Sequence, residues 1–171
     1  MDKKRIAEHL ENYSEENLPY DNYFSLWMAF NVMYDHFSNE VKNASEINCV
    51  CHCTKKLPYD QWIDIFNSDE LKNLLSIAPV FNEKANKKGD TKIFNELIQQ
   101  VSIPIAGVED QDNPKLDALM SLLYLIRCNQ VHGAKTRKNP RDEEVLSVAA
   151  PILKTVVMRL ASTFGIVKDL K

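Results

Sequence analysis

Hydrophobic residues recur along this chain at the three- and four-residue spacing of amphipathic helices, and no stretch alternates convincingly as a half-buried strand does. The pattern predicts an up-and-down bundle of about five to six helices. Seven candidate segments, from which those helices are drawn, are Lys3 to about Tyr13, Asp21 to Phe37, Tyr59 to Phe66, Asp69 to Ile77, Thr91 to Val101, Pro114 to His132, and Arg141 to about Thr163. The fold class is therefore expected to be all-α.

Two Asn-Pro pairs mark the starts of the last two predicted helices. Asn113-Pro114 and Asn139-Pro140 each place an N-capping side chain before a proline at the first helical position. Pro151 lies inside the final helix and is expected to kink it, because proline removes a donor and crowds the preceding turn.

The segment before Pro58 has no clear period, so a long irregular stretch through the cysteine cluster is expected there. After it, Ser68 is a candidate N-cap for the helix that begins at Asp69. No repeat, linker or low-complexity segment interrupts the chain, and residues 1–171 are predicted to form a single domain.

Composition agrees with a helical domain that has a substantial core. The 171 residues are 44% hydrophobic and include only four glycines. The charged N-terminus has no apolar signal-peptide region, and no apolar run approaches the length of a membrane span, so a cytoplasmic protein is expected. The net charge of −3 means that nucleic acid would be attracted only by a local basic patch.

Three of the four cysteines alternate in a short cluster. Cys49, Cys51 and Cys53 flank His52, whereas Cys128 lies far away in a predicted helix. This is not the dispersed framework of a secreted disulfide scaffold. Structural zinc sites space paired ligands by two to four residues and bring a second pair from elsewhere, so ordinary or redox-sensitive thiols are favoured over a metal site.

The chemistry-bearing residues are concentrated in LLYLIRCNQVHG, where an apolar helix becomes polar at its end. Arg127, Asn129 and His132 occur there together, and Gly133 stops the helix. An arginine can hold a phosphate through its planar fork, and a histidine can move protons near neutral pH. Asn129 lies three residues before the histidine and can orient the imidazole or a phosphate. These three are the candidate catalytic residues.

A basic loop follows the histidine directly. Lys135, Arg137, Lys138 and Arg141 are candidate substrate-binding residues, because a positive border would attract the phosphates that the net charge repels. The alternative is an ordinary solvated loop, as most charge runs are.

FSLWMAFNVMYDHF near the start of the chain, together with YLIRCNQVHG and the acidic helix start after it, resembles the HEPN superfamily of small helical bundles. The resemblance implies an endoribonuclease that uses neither metal nor cofactor and acts as a homodimer with both motifs lining one cleft. Arg127 and His132 fall on the two motif positions, and Asn129 on a polar position often seen between them. Cys128 departs from the polar residue, usually asparagine, that commonly follows the motif arginine. Residues 38–108 match nothing in the family.

The same resemblance implies RNA as the substrate and excludes DNA, because the nucleophile is the 2′-hydroxyl of the RNA itself. It suggests a toxin or a defence effector, and toxicity would imply a partner protein that restrains the enzyme. Many family members have lost activity, so a non-catalytic module that binds RNA, a nucleotide or a protein is the leading alternative. A purely structural helical dimer is the third hypothesis.

Structural interpretations of the same residues stay open at this point. Arg127 can pair with a carboxylate of the last helix, such as Asp142 or Glu143, and His132 can donate to the last carbonyls of its own helix. Trp27, Phe30, Tyr34 and Phe37 are expected in the core. Asn31, in the same segment, is either a bonded buried amide or a group facing the cleft.

Overall fold

The computed structural model describes residues 1–77, 88–102, 114–131 and 140–167, apart from the side chains of residues 88–94, 129 and 131. These ranges form eight α-helices with a short 3₁₀ turn at Ser38–Glu40 and contain no strand. The helices are α1 (Lys3–Glu11), α2 (Pro19–His36), α3 (Glu46–Thr54), α4 (Tyr59–Asn67), α5 (Asp69–Ser76), α6 (Lys88–Ser102), α7 (Pro114–Val131) and α8 (Pro140–Thr163). The all-α fold class is confirmed, with more helices than the five to six predicted.

The core is built around α2 and α8, which pack against each other. On α2, Trp27 and Phe30 are almost fully buried and meet edge to face, with ring centroids 5.5 Å apart. On α8, one side is continuously buried from Val145 to Ala161. Helices α1 and α3 pack on α2, α5 packs on α8, and α6 packs on α7. Full burial of one such large apolar side chain contributes about 1.5–3 kcal/mol, so this shared seam is the main source of stability.

The cysteine segment is helical, and the expectation of a long irregular stretch through it is wrong. Helix α3 begins at Glu46, and the Ser45 hydroxyl caps it by accepting from the Asn48 amide at 3.4 Å. Cys49 and Cys53 are one helical turn apart and face the core. Buried free cysteine behaves as a small hydrophobic residue. Counting these two cysteines as apolar would have given the segment a helical period.

The predicted helix boundaries agree with the structure where it describes them. Ser68 caps α5, accepting from the Leu71 amide at 3.2 Å. Pro151 lies within α8, which continues as a helix to Thr163. Asn113 and Asn139, the other two predicted caps, lie outside the described residues.

The expectation that no apolar run approaches the length of a membrane span is wrong for helix α8. Its most apolar eighteen-residue window has a mean hydropathy of 1.5, which is enough by length and composition alone. Core helices of globular domains pass the same test, and 56% of this window is buried inside the fold. The helix is therefore accounted for as the central core element.

Burial of the α3 thiols generates a testable prediction about their reactivity. Burial raises the pKa of Cys49 and of Cys53, and burial with the nearby Asp117 carboxylate raises the pKa of Cys51 to about 12. Because the thiolate is the nucleophile, a rise of this size in Cys51 leaves about a thousandfold less reactive species at neutral pH.

We therefore expect iodoacetamide at neutral pH to label these three cysteines far more slowly in the native protein than in guanidinium, as measured by peptide mass spectrometry. Equal labelling rates for any one of them in the two states would contradict its buried placement. Slow native labelling would also favour ordinary over redox-sensitive thiols.

Candidate functional site

The second half of α7 contributes three apolar side chains to the core and carries Arg127 beside them. Leu122, Leu123 and Ile126 are fully buried. Arg127 is one helical turn after Leu123, on the same side of the helix, and its side chain keeps 21% of its surface exposed. Arg127 therefore lies at the border between core and solvent.

Glu46, the first residue of α3, holds the Arg127 guanidinium. Arg127 Nη1 donates to Glu46 Oε2 at 3.4 Å, and Nη2 lies 3.3 Å from Oε1. Both terminal nitrogens face one carboxylate, which fixes the plane of the fork. A carboxylate is also favoured in the first turn of a helix, where the backbone N–H groups point towards it.

Two tyrosines complete the coordination of this carboxylate. The Tyr34 hydroxyl of α2 donates to Glu46 Oε1 at 2.6 Å, and the Tyr124 hydroxyl of α7 donates to Oε2 at 3.0 Å. The Asn31 amide donates in turn to the Tyr34 oxygen. We call Asn31, Tyr34, Glu46, Tyr124 and Arg127 the Glu46 cluster. It joins three helices through one acceptor.

The tyrosine hydroxyls near α7 are held protonated. Burial, followed by the hydrogen bond to Glu46, raises the pKa of Tyr34. Burial, Cys128 and Glu46 together raise the pKa of Tyr124. Burial also raises the pKa of Tyr23, whose hydroxyl donates to the Leu123 carbonyl at 2.7 Å. These phenols therefore serve as hydrogen-bond donors at neutral pH rather than as proton acceptors.

Arg127 keeps part of its donor capacity. Of the five N–H donors of the guanidinium, one on Nη1 donates to Glu46, and Nη2 lies at ion-pair distance from the same carboxylate. The Nε atom is buried without a hydrogen-bond partner among the described residues, and the guanidinium carbon lies 6.0 Å from the Tyr124 ring centroid. Terminal N–H groups that make no hydrogen bond within the described residues are the ones that an incoming anion could use.

Most of the other sequence-predicted site residues lie beyond the part of the chain that the structure describes. The backbone of Asn129 is in the last turn of α7, and Arg141 is exposed in the first turn of α8. The Asn129 side chain and the residues His132, Lys135, Arg137 and Lys138 are outside the described residues. Their catalytic and substrate-binding roles stay predictions.

Two sequence interpretations are resolved by the cluster. The carboxylate that pairs with Arg127 is Glu46 of α3, so the suggestion of Asp142 or Glu143 is wrong. Asn31 is a partly buried amide bonded to Tyr34. Sequence reasoning missed Glu46 because it lies 81 positions from Arg127. The signal that could have pointed to a helix start there was Ser45 followed by an acidic residue.

Within the described ranges, the cysteine segment is not arranged as a metal site. No group of three or more His, Cys, Asp or Glu side chains is placed there to hold a metal ion. Cys49 and Cys53 face the core, whereas Cys51 lies on another side of α3 beside Asp117, because alternate residues on a helix point in different directions.

A cavity of about 860 Å³ lies away from the Glu46 cluster, between α4, α8 and the turn after α1. Its two cations are engaged within the protein. Lys154 Nζ sits 4.1 Å from the Tyr13 ring centroid, and Arg159 bonds to the Gln61 carbonyl and the Asp64 carboxylate. Among the described residues, the cavity therefore offers no free cation for a phosphate.

Comparison with known proteins found no relative of this chain. No family model matches the chain, no curated protein is similar to it, and no solved structure matches it.

Glu46→Gln tests the energetic weight of the cluster. The variant leaves Arg127 without its counter-charge and sets an amide N–H₂ against one tyrosine hydroxyl and one arginine nitrogen, so we expect a loss of about 2 kcal/mol in the free energy of unfolding. Urea titration measures it. The matched control is Glu8→Gln, which breaks an exposed pair with Lys4 and should cost under about 0.5 kcal/mol. Equal losses in the two variants would show that the cluster contributes no more than a surface ion pair.

Proposed function

We propose that this protein is a metal-independent endoribonuclease of the HEPN type, with Arg127 and His132 as its catalytic pair. One observation carries the proposal. The motif arginine is fixed in orientation at the border of the core by a two-point contact with Glu46, and a histidine follows it five positions later in the sequence. An oriented guanidinium is what phosphate recognition requires.

In the proposed reaction, the 2′-oxygen of RNA attacks the adjacent phosphorus and the bond from phosphorus to the 5′-oxygen breaks. A histidine accepts the 2′-hydroxyl proton, and a second proton donor supplies the leaving 5′-oxygen. Arg127 stabilises the negative charge that develops on the phosphorane oxygens. Asn129 orients the imidazole or the phosphate. The products are a 2′,3′-cyclic phosphate and a 5′-hydroxyl.

Glu46 has two opposing effects on this reaction. It restricts the rotamers of a long side chain, so less conformational entropy is lost when the phosphate binds. It also places a negative charge close to where the phosphate must sit, which weakens ground-state binding. Glu46 therefore acts as a positioning residue.

A homodimer supplies the second proton donor. One motif contains a single histidine, whereas the transesterification needs both an acid and a base. A twofold axis beside α7 would bring a second Arg127 and His132 to the same cleft. The basic residues Lys135, Arg137, Lys138 and Arg141 then border that cleft and attract the RNA backbone. In a toxin or defence setting, a further partner protein would restrain the enzyme.

The second candidate function is a non-catalytic module that binds RNA, a nucleotide or a partner protein. The observation that favours it is the same ion pair, because Glu46 already neutralises Arg127. A structural ion pair shifts the pKa values of neighbouring groups, as an active site also does. Catalysis by purified protein separates the two functions.

The reaction prediction is that cleavage persists in excess EDTA and leaves a 2′,3′-cyclic phosphate. RNA with a 2′-O-methyl group at the scissile nucleotide should resist, and DNA should stay intact, because each lacks the nucleophile. His132→Ala should lower kcat by about 10²-fold or more, the size of a general acid–base contribution. Arg127→Lys should also lose most of the cleavage activity, since the point charge of a lysine cannot replace the planar guanidinium fork. Gel analysis and phosphate-end mapping measure these outcomes.

Lys135→Ala and Lys138→Ala are the matched controls. Each should weaken RNA binding and reduce its salt dependence while leaving kcat nearly unchanged. Undiminished cleavage by His132→Ala from a clean preparation would mean that the catalytic assignment is wrong. RNA binding by the wild type without any cleavage would support the second candidate function.

The assembly prediction is a twofold dimer at micromolar concentration, measured by analytical ultracentrifugation. Mixing wild-type protein with an excess of His132→Ala protein should then lower the activity per wild-type chain, because a mixed dimer contains only one of the two histidines that serve as acid and base. A monomer that cleaves RNA at full rate would contradict the shared cleft.

A further inference from the structure

The last turn of α7 is tied to the first turn of α2 by a reciprocal pair of hydrogen bonds. Gln130 Nε2 donates to the Tyr20 carbonyl oxygen at 2.8 Å, and the Tyr20 hydroxyl donates to the Gln130 carbonyl oxygen at 3.5 Å. We call these two residues the Tyr20–Gln130 clamp. It joins positions 110 apart in the sequence, so it is a tertiary constraint on the end of a helix.

The clamp lies where a helix is least constrained by its own backbone. The last four carbonyls of an α-helix have no intrahelical partner, and helix ends fray for that reason. Gln130 lies in the last described turn of α7, and its carbonyl accepts a hydrogen bond from the Tyr20 hydroxyl. Motif residue Arg127 is one turn earlier, and His132 is two residues later in the sequence.

Packing alone does not account for a glutamine at this position. The Gln130 side chain is only 2% exposed, and its Oε1 atom has no hydrogen-bond partner among the described residues. A buried amide that is only half satisfied costs free energy, whereas a methionine of similar volume would fill the space without that cost. The glutamine is therefore explained by the geometry that its single strong bond imposes.

We propose that the Tyr20–Gln130 clamp is the positioning element of the candidate site. It holds the last described turn of α7 in one orientation against α2 and thereby directs the chain that leads from Arg127 towards His132. The choice of His132 as the residue being positioned rests on the proposed ribonuclease function; the clamp itself does not. A shift of about 1 Å at a reacting group is enough to impair catalysis strongly.

The test compares Gln130→Met with the wild-type full-length protein by amide hydrogen exchange and by RNA cleavage kinetics. Methionine keeps the volume and removes the donor, and Gln130→Asn keeps the amide but shortens its reach. The control is Ser68→Ala, which removes the α5 cap and lowers global stability without touching α7.

In both Gln130 variants, protection of residues 128–131 should fall by roughly fivefold or more, the effect of one lost buried hydrogen bond on local opening. Protection of residues 118–123 in the same helix should stay unchanged. Cleavage should show kcat lowered about tenfold or more with KM nearly constant, because the phosphate contact of Arg127 is retained while proton transfer is misaligned. Ser68→Ala should change neither the local protection of α7 nor kcat.

Hydrogen exchange and cleavage kinetics test two separate claims. Unchanged protection of residues 128–131, or a loss spread evenly along α7, would overturn the clamp whatever the activity. Local loss of protection with undiminished kcat would overturn its role in positioning the site. If the wild type cleaves no RNA, the proposed function fails, and hydrogen exchange still decides whether the clamp orders the end of α7.

Discussion

One carboxylate organises the polar side of this helical bundle. Glu46 accepts hydrogen bonds from a tyrosine on α2, a tyrosine on α7 and the guanidinium of Arg127. Each donor is partly withdrawn from water, so each would be costly to leave unpaired. The position of α3 against α2 and α7, and the direction in which Arg127 points, depend on this acceptor.

The remainder of the fold is held by apolar burial that is not specific to any function. Helices α2 and α8 share the central seam, and the other helices close around it. This seam explains the length and hydrophobicity of α8. Helix α7 also buries Leu122, Leu123 and Ile126, and Arg127, one turn after Leu123, lies at the edge of that buried surface.

The proposed function places opposing demands on Arg127. An arginine that was only structural would be expected to bond a carboxylate as fully as possible, and one that only bound phosphate would be expected to stay unpaired. Here the guanidinium is anchored at two nitrogens and keeps 21% of its side-chain surface exposed. This intermediate state fits a phosphate-binding group that is pre-oriented by the protein, and the Tyr20–Gln130 clamp extends the same pre-orientation to the end of the helix.

The sequence by itself determined the helical class, most helix boundaries and the arginine-containing end of α7, because these depend on local periodicity, capping and proline. Ser68 and the apolar face of α7 are examples. Only the tertiary structure decided which carboxylate meets Arg127, since Glu46 is 81 positions away and its segment showed no period while its cysteines were counted as polar. The same is true of Gln130 and Tyr20, which are 110 positions apart. Contacts between residues so far apart in the sequence depend on how the helices pack, and a local pattern of side chains does not predict them.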